Sequence, residues 1–382
     1  MQSHDFEAFT LALSAHPPMI PDMNPHLQDV QEETIQENRT AGSCQLPSIS
    51  IITLSYNSDP HIWKKVLESI KMQDYPKNAI EHLVMDGGST NDTLELAKEY
   101  GCTIHVMPEL KLYSEARKCI GIQRSKNEIV VIINTDNILV GRDWFKKMVL
   151  PFMCEKDVAG TFSMHYTYES DMPALTRYFA LIGCIDAVAY YLGKSEKMTR
   201  FQQTYNKGVR VKDTKDYTVV RFSTDTLPSL GCNGHMARRS VIGELNLSPS
   251  TFQHTDAFYQ LCERRYNTYG VVKNFIIHYA GSNILKQARQ RTYIKRLYYD
   301  DQRGTRSYHV FNWKKKSDVL RLILFVVYSL TFVQPLLISL RGYLSVPDRA
   351  WFLHPVVCFV AVISHGISEI RYLISKKRKL GT

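Results

Sequence analysis

Paired cysteines are absent. The eight cysteines of this 382-residue chain (Cys44, Cys102, Cys119, Cys154, Cys184, Cys232, Cys262 and Cys358) show no CxxC spacing. That excludes the usual zinc sites and any disulfide framework, so free thiols in a reducing compartment are expected. Glycine is missing where a nicotinamide enzyme needs it, because the first hydrophobic strand runs into Ser55-Tyr56-Asn57-Ser58. The opening residues lack a basic start and a continuous apolar core, so no cleaved signal is expected. No internal repeat, zinc finger or aromatic-studded RNA-binding pattern accompanies the basic residues, which argues for no nucleic acid among the partners.

The chain does have an uneven excess of positive charge, +10 in all. Lys286, Arg289, Arg291, Lys295, Arg296, Arg303, Arg306, Lys314, Lys315 and Lys316 face only Asp300 and Asp301, and Arg371, Lys376, Lys377, Arg378 and Lys379 form a second cluster. Both clusters flank apolar runs, which points to anionic phospholipid headgroups. Val319 to Leu340 carries only Arg321 and is long enough, at about 1.5 Å per residue, for a bilayer core of about 30 Å. Trp351 to Ile367 is a weaker second span containing His354 and His365. A two-helix, multi-pass membrane hairpin is expected, with a soluble helical hairpin as the alternative. Basic residues at both outer ends place those ends, and the large domain, on the cytoplasmic side. Leu285 to Tyr299 reads as a helix lying at the interface or as a solvated basic helix, and Ala174 to Leu192 as a buried or membrane-grazing helix.

Residues 1–45 show no sustained period and read as a disordered or loosely attached tail, which holds a sequon at Asn38-Arg39-Thr40. From Pro47 onward, strands at Ser48–Tyr56, Glu81–Met85, Thr103–Met107 and Glu128–Ile133 alternate with helices at Trp63–Met72, Thr93–Tyr100 and Ser114–Ser125. Such alternation predicts an α/β fold with a Rossmann-like, doubly wound, mostly parallel sheet. Ligands of such sheets gather at the carboxyl ends of the strands. The expected division is 46–284 for this domain, 285–317 for a basic juxtamembrane segment and 318–382 for the hairpin and basic tail.

Four constellations could carry chemistry. Asp86 ends a strand and is followed by Gly87-Gly88-Ser89, which suits acceptance of a base N–H or, equally, a turn and helix cap. Asn134-Thr135-Asp136-Asn137 ends another strand, where a carboxylate can hold a divalent ion that Mg or Mn would supply, with phosphates and water completing the shell. Gly231-Cys232-Asn233-Gly234-His235 reads as a small-residue loop before a basic helix, with Asn233 a candidate for sugar hydroxyls. His254-Thr255-Asp256 opens an apolar helix, where Asp256 is either a general base or a carboxylate favouring the helix dipole. His278, in a strand over Phe275–Tyr279, is either a metal or diphosphate ligand or a core histidine.

In order, SIITLSYN, VMDGGSTNDT, ARKCIGIQRSKNEIVVIINTDN, GCNGHMARRS and HTDAFYQL resemble the family 2 glycosyltransferases of GT-A fold over about residues 47–285. The resemblance implies a nucleotide-diphosphate-sugar donor, a divalent cation and inversion at the anomeric carbon. It assigns base binding to Asp86, metal binding to Asp136, with His278 a candidate second ligand, and the catalytic base to Asp256. Tyr56, Asn57, Gly87, Gly88, Ser89, Lys118 and Thr135 are the further donor-binding candidates, and Asn233 with Gly234 the acceptor or sugar site. Asn134 and Asn137 depart from the family's acidic pattern, as does Thr255 beside the base. No Trp completes a QxxRW signature near Gln287, which argues for single transfer. The hairpin is similar to that of polyprenyl-phosphate and lipid-glycan glycosyltransferases, implying a membrane lipid or lipid-linked acceptor and UDP in preference to GDP. A GT-A-fold membrane scaffold with weakened chemistry is the competing expectation.

Overall fold

The computed structural model of the chain describes residues 45–300 and 304–380, with side chains to residue 375. The expected tail up to residue 44, with its sequon, and the charges of Asp301 and Arg303 lie outside the described residues.

The first half follows the pattern of apolar runs. Strand β1 (Ile49–Ser55) is buried at nearly every position, as a strand covered on both faces must be. Helix α1 (Pro60–Lys71) starts with proline and is capped by Asp59, whose carboxylate accepts from the His61 and Ile62 N–H groups. There follow β2 (Ile80–Asp86), α2 (Thr93–Glu99), β3 (Thr103–Val106), α3 (Ser114–Arg124) and β4 (Ile129–Ile132). Parallel pairing of β1 with β2 and β4, and of β2 with β3, gives the order β3-β2-β1-β4. Helix α3 lies close on this sheet because Gly121 leaves room: a Cβ there would stand 2.7 Å from a methyl of Ile52.

The second half is mixed. Its elements are β5 (Asn137–Leu139), α4 (Trp144–Cys154), β6 (Val158–Thr167), α5 (Ala174–Ile182), α6 (Ala187–Tyr191), β7 (Val209–Asp213), β8 (Tyr217–Arg221), β9 (His235–Arg238), α7 (Arg239–Ile242), α8 (His254–Glu263) and β10 (Thr268–His278). The sheet continues β4-β9-β6-β10-β8-β7, with β9 antiparallel to both neighbours and β5 paired to β10. The GCNGH loop therefore leads into a strand rather than a basic helix. Gly234, at φ +80°, turns the chain between β4 and β6, and Arg238 donates to the Phe152 and Val158 carbonyls. Ala174–Leu192 is two helices, because Gly183 adopts φ +75° against the Met198 carbonyl.

The C-terminal part comprises α9 (Ile284–Lys295), α10 (Lys316–Thr331), α11 (Val333–Ser345) and α12 (His354–Leu380). The apolar run expected to form the first span is bent by 82° between α10 and α11. Phe332 takes a left-handed conformation there, and Pro335 has no N–H to donate to the Thr331 carbonyl one turn earlier. Among the described residues one stretch, Arg349–Ser375, is long and apolar enough to cross a membrane. Its start is packed on the large domain: Trp351 is fully buried, and Arg177 stands 3.5 Å from Asp348. Further along, Glu369 is 3.0 Å from Lys295 of α9. Outward, α12 shows a stripe of exposed apolar residues, Val356, Phe359, Ile363, Ile367, Ile370 and Ile374, at helical spacing. Leu320, Ile323, Val327 and Leu330 make a similar stripe on α10.

Candidate active site

A cavity of about 1460 Å³ lies at the carboxyl ends of β1, β4 and β10 and extends to α10 and α12. On the strand side it is lined by Tyr56, Ser58, Thr135, Asp136 and His278, and on the helix side by Leu322, Phe325, Val326 and Val362. Tyr166, Cys232, Asn233, Lys118 and His254 line it between.

Asp136 and His278 come together because β5 runs antiparallel to β10, with Asn137 opposite His278. The Tyr279 N–H donates to the Asp136 carbonyl at 2.8 Å, and His278 Nε2 lies 3.2 Å from Asp136 Oδ2. Asp136 Oδ1 and His278 Nδ1 are buried without a hydrogen-bond partner. An orphaned carboxylate oxygen is costly unless a ligand completes it. One carboxylate and one imidazole fit Mg or Mn whose remaining positions are taken by phosphate oxygens and water. Among the described residues no group of three or more acidic, His or Cys side chains could hold a metal unaided.

The asparagines that replace family carboxylates have structural employment. Asn137 Oδ1 accepts from the Asn134 N–H at 3.0 Å, and the Asn134 and Asn137 amides both donate to Asn233 Oδ1 at 3.3 Å. Asn233 in turn donates to the Tyr166 hydroxyl at 3.0 Å, from a backbone at φ +52°. Asn233 thus faces the cavity from a fixed position. Gly234 does not line it: a Cβ there would strike Ile276 and Trp144, at 2.7 and 2.9 Å. Its role is packing.

Asp86 differs from expectation. It is fully buried and its carboxylate accepts from the Gly88 and Ser89 N–H groups at 2.7 Å, from Ser55 Oγ at 2.7 Å and from Ser89 Oγ at 2.6 Å. Four bonds use the acceptor capacity of a carboxylate, so Asp86 builds the turn instead of facing the cavity. Gly88, at φ +84°, and Gly87, packed against the Arg117 guanidinium, shape the same turn. Asn57, at φ +44°, joins the two strand ends, since its N–H donates to Ser89 Oγ and its Oδ1 accepts from the Thr90 N–H. Tyr56 and Thr135 do face the cavity; the Lys111 ammonium lies over the Tyr56 ring, and Ser58 Oγ donates to Thr135 Oγ1 at 3.0 Å.

Asp256 also differs. Its Oδ2 accepts from Arg306 Nε at 2.7 Å and its Oδ1 from the Tyr308 N–H at 2.9 Å. Arg306 donates as well to the Thr255 hydroxyl at 2.8 Å. The carboxylate expected to aim into the cleft is instead the anchor of the strap that carries His309, Phe311 and Trp313 over the cavity. Thr255, where the family pattern has an acid, serves the same arginine.

Lys118 lines the cavity but is buried among local partners. Its Nζ lies 2.8 Å from Glu115 Oε1, 3.2 Å from Cys232 Sγ and 3.1 Å from His254 Nδ1. Glu115, Arg117 and Tyr166 were not singled out from sequence, and His254 was named only as the start of the Asp256 helix. The available signal was a Glu-x-x-Lys pair, with an arginine between, directly before the small and apolar run Cys119–Ile122 of the same helix.

A mixed α/β sheet, parallel in its first half, with a strand-end carboxylate and a histidine facing one long cavity is an arrangement of GT-A type. Residues 50–215 match the model of glycosyl transferase family 2, and the chain carries a family 2 glycosyltransferase domain. It is similar to glycosyltransferase AglE of Haloferax volcanii, 32% identical over 96 residues, 24% of this chain and 31% of that protein. It is also similar to a dolichyl N-acetyl-alpha-D-glucosaminyl phosphate 3-beta-D-2,3-diacetamido-2,3-dideoxy-beta-D-glucuronosyltransferase of Methanococcus voltae, 37% identical over 90 residues, 22% of this chain and 27% of that protein. The aligned segments span less than a third of either relative. Among solved structures, mannosyltransferase PcManGT from Pyrobaculum calidifontis in complex with GDP-Man and Mn2+ covers 84% of this chain and 87% of its own, at 12% identity and TM-score 0.47.

Proposed function

We propose that this glycosyltransferase moves a sugar, with inversion, from a UDP-sugar to the phosphate of a membrane lipid at the cytoplasmic face. The observation that carries the reading is the continuity of one cavity from Asp136 and His278 to the apolar Leu322, Phe325, Val326 and Val362. Tyr56 and Thr135 would flank the nucleotide, with the turn held by Asp86, Gly87, Gly88, Ser89 and Asn57 as its support. Arg291 lines the same cavity with a buried Nε that lacks a hydrogen-bond partner, which favours an anion there.

Asp136 and His278 would hold the divalent cation, which when bound neutralises charge on the departing diphosphate. The acceptor oxygen attacks the anomeric carbon as the bond to the diphosphate breaks, and the nucleotide leaves with the bonding pair. An ionised phosphate oxygen has no proton to lose. That agrees with an Asp256 committed to Arg306 and Tyr308, and it makes Asp256 a positioning residue. A lipid-linked sugar hydroxyl is the second reading, favoured by the Methanococcus relative's name; it would require Asp256 to part from Arg306 and act as base.

Radiolabelled UDP- and GDP-sugars, tested with Mg or Mn against polyprenyl phosphate and a lipid-linked sugar, decide between them. Asp256→Asn is expected to leave transfer to phosphate within about 10-fold of the parent, whereas loss of a base would cost about 10²-fold or more. No nucleotide release with any donor would leave only the scaffold reading.

The outward stripes of α10 and α12 support attachment to the bilayer surface. Asp348 meets Arg177 of the large domain and Glu369 meets Lys295 of α9, about 30 Å apart along the Arg349–Ser375 stretch. A stretch held by the domain at its start and by the basic α9 further along is read as lying in one leaflet, with α9 against anionic headgroups.

A further inference from the structure

Cys232 sits in the wall of the cavity, in a set of groups that sugar transfer as proposed does not use. Its Sγ is 3.6 Å from His254 Nε2, and His254 Nδ1 is 2.9 Å from Glu115 Oε2, so nucleophile, base and orienting carboxylate follow one another. Glu115 also accepts from the His254 N–H at 2.8 Å, fixing the ring at the start of α8. Lys118 Nζ touches both Cys232 and Glu115. The loop holds the sulfur in place through Gly231, at φ +109°, where a Cβ would meet Phe258 and His254 at 2.8 and 3.0 Å.

We propose that Cys232 is a nucleophilic modification site, attacked from the cavity by soft electrophiles and peroxides. The charged and titratable groups facing it are Lys118 and Glu115 from α3, His254 from α8, Tyr166 from β6, and Lys197 beyond that tyrosine. Burial opposes ionisation of the thiol, but the positive charges of His254 and Lys118 outweigh it and lower its pKa. Burial likewise opposes charge on His254, yet Cys232 and Glu115 raise it to about 9. His254 and Lys118 therefore favour the thiolate of Cys232 over that of a thiol without such neighbours.

With a haloacetamide, a sulfur–carbon bond forms and the halide leaves with the bonding pair; no proton moves. With hydrogen peroxide, the sulfur takes the near oxygen, the O–O bond breaks, and the hydroxide released is protonated to water. The sulfur is oxidised by two electrons to a sulfenic acid as the peroxide is reduced.

The test is iodoacetamide labelling of the full chain in lipid nanodiscs, followed site by site by mass spectrometry. Cys154, which is exposed, serves as internal reference. Cys232 is expected to react faster than Cys154 at pH 6.5 and to gain less with rising pH, while an ordinary thiol gains about 10-fold per pH unit. His254→Asn, which removes the largest charge favouring the thiolate, is expected to slow Cys232 by about 10-fold at pH 6.5 and leave Cys154 unchanged. A Cys232 rate that rises with pH in parallel with Cys154, or that falls below it throughout in the unaltered chain, would overturn the proposal. That readout needs neither a variant nor turnover, so it is independent of the proposed reaction.

Discussion

Asp136→Ala removes one of the two side chains proposed to hold the cation. Metal-stimulated donor binding should disappear in calorimetric titrations, and donor binding that is the same in Mn²⁺ and in EDTA for the unaltered chain would defeat the assignment. Glu115 supplies a pH test. Burial disfavours its charged form, but His254 and Lys118 overcome that and hold its carboxyl well below 4.5. A depressed folded value means that its contribution is complete above 4.5 and is lost as pH falls below it. Glu115→Gln should therefore cost about 3 to 5 kcal/mol at pH 7, leaving Lys118 and His254 uncompensated. The gap to the parent should narrow at pH 3 in denaturant titrations, and an equal gap at both pH values would count against an ionised Glu115. The place of Asp136 at the cavity was readable because ligands of such a sheet gather at the carboxyl ends of its strands. Asp86 and Asp256 occupy the expected chain positions, but their hydrogen bonds turn them elsewhere. For Asp256 the deciding partner, Arg306, lies far along the chain, and no local pattern announces such a pairing.

The same contrast recurs among the elements. β1 to β4 and their helices were legible because each is a single apolar run with one period, flanked by turn residues. The antiparallel insertion of β9 was not, since its direction depends on Gly234 and on a gap left between β4 and β6. Breaks inside apolar stretches were overlooked for a related reason: hydropathy averages over a lone glycine or proline. Gly183→Ala tests one such break. It puts a Cβ at positive φ and 2.4 Å from the Met198 carbonyl oxygen, and should cost about 2 kcal/mol or more, read as a lowered melting temperature. An unchanged melting temperature would mean that the α5–α6 corner yields easily.

At the scale of the whole molecule, the basic segments and exposed apolar stripes predict flotation with vesicles containing anionic lipid. Flotation with neutral vesicles should be weaker, and raised salt should reduce the difference. A chain that stays monomeric and in solution without detergent or vesicles would contradict that attachment. The ion pairs of Asp348, just before the Arg349–Ser375 stretch, and of Glu369 within it also bear on lipid choice. A helix threaded from one side to the other must match the hydrocarbon thickness, whereas one moored along a single leaflet has no length to match. Transfer rates in short-chain and long-chain lipids of equal surface charge should then coincide, and protease sealed in the opposite compartment should find nothing of the described chain to cut.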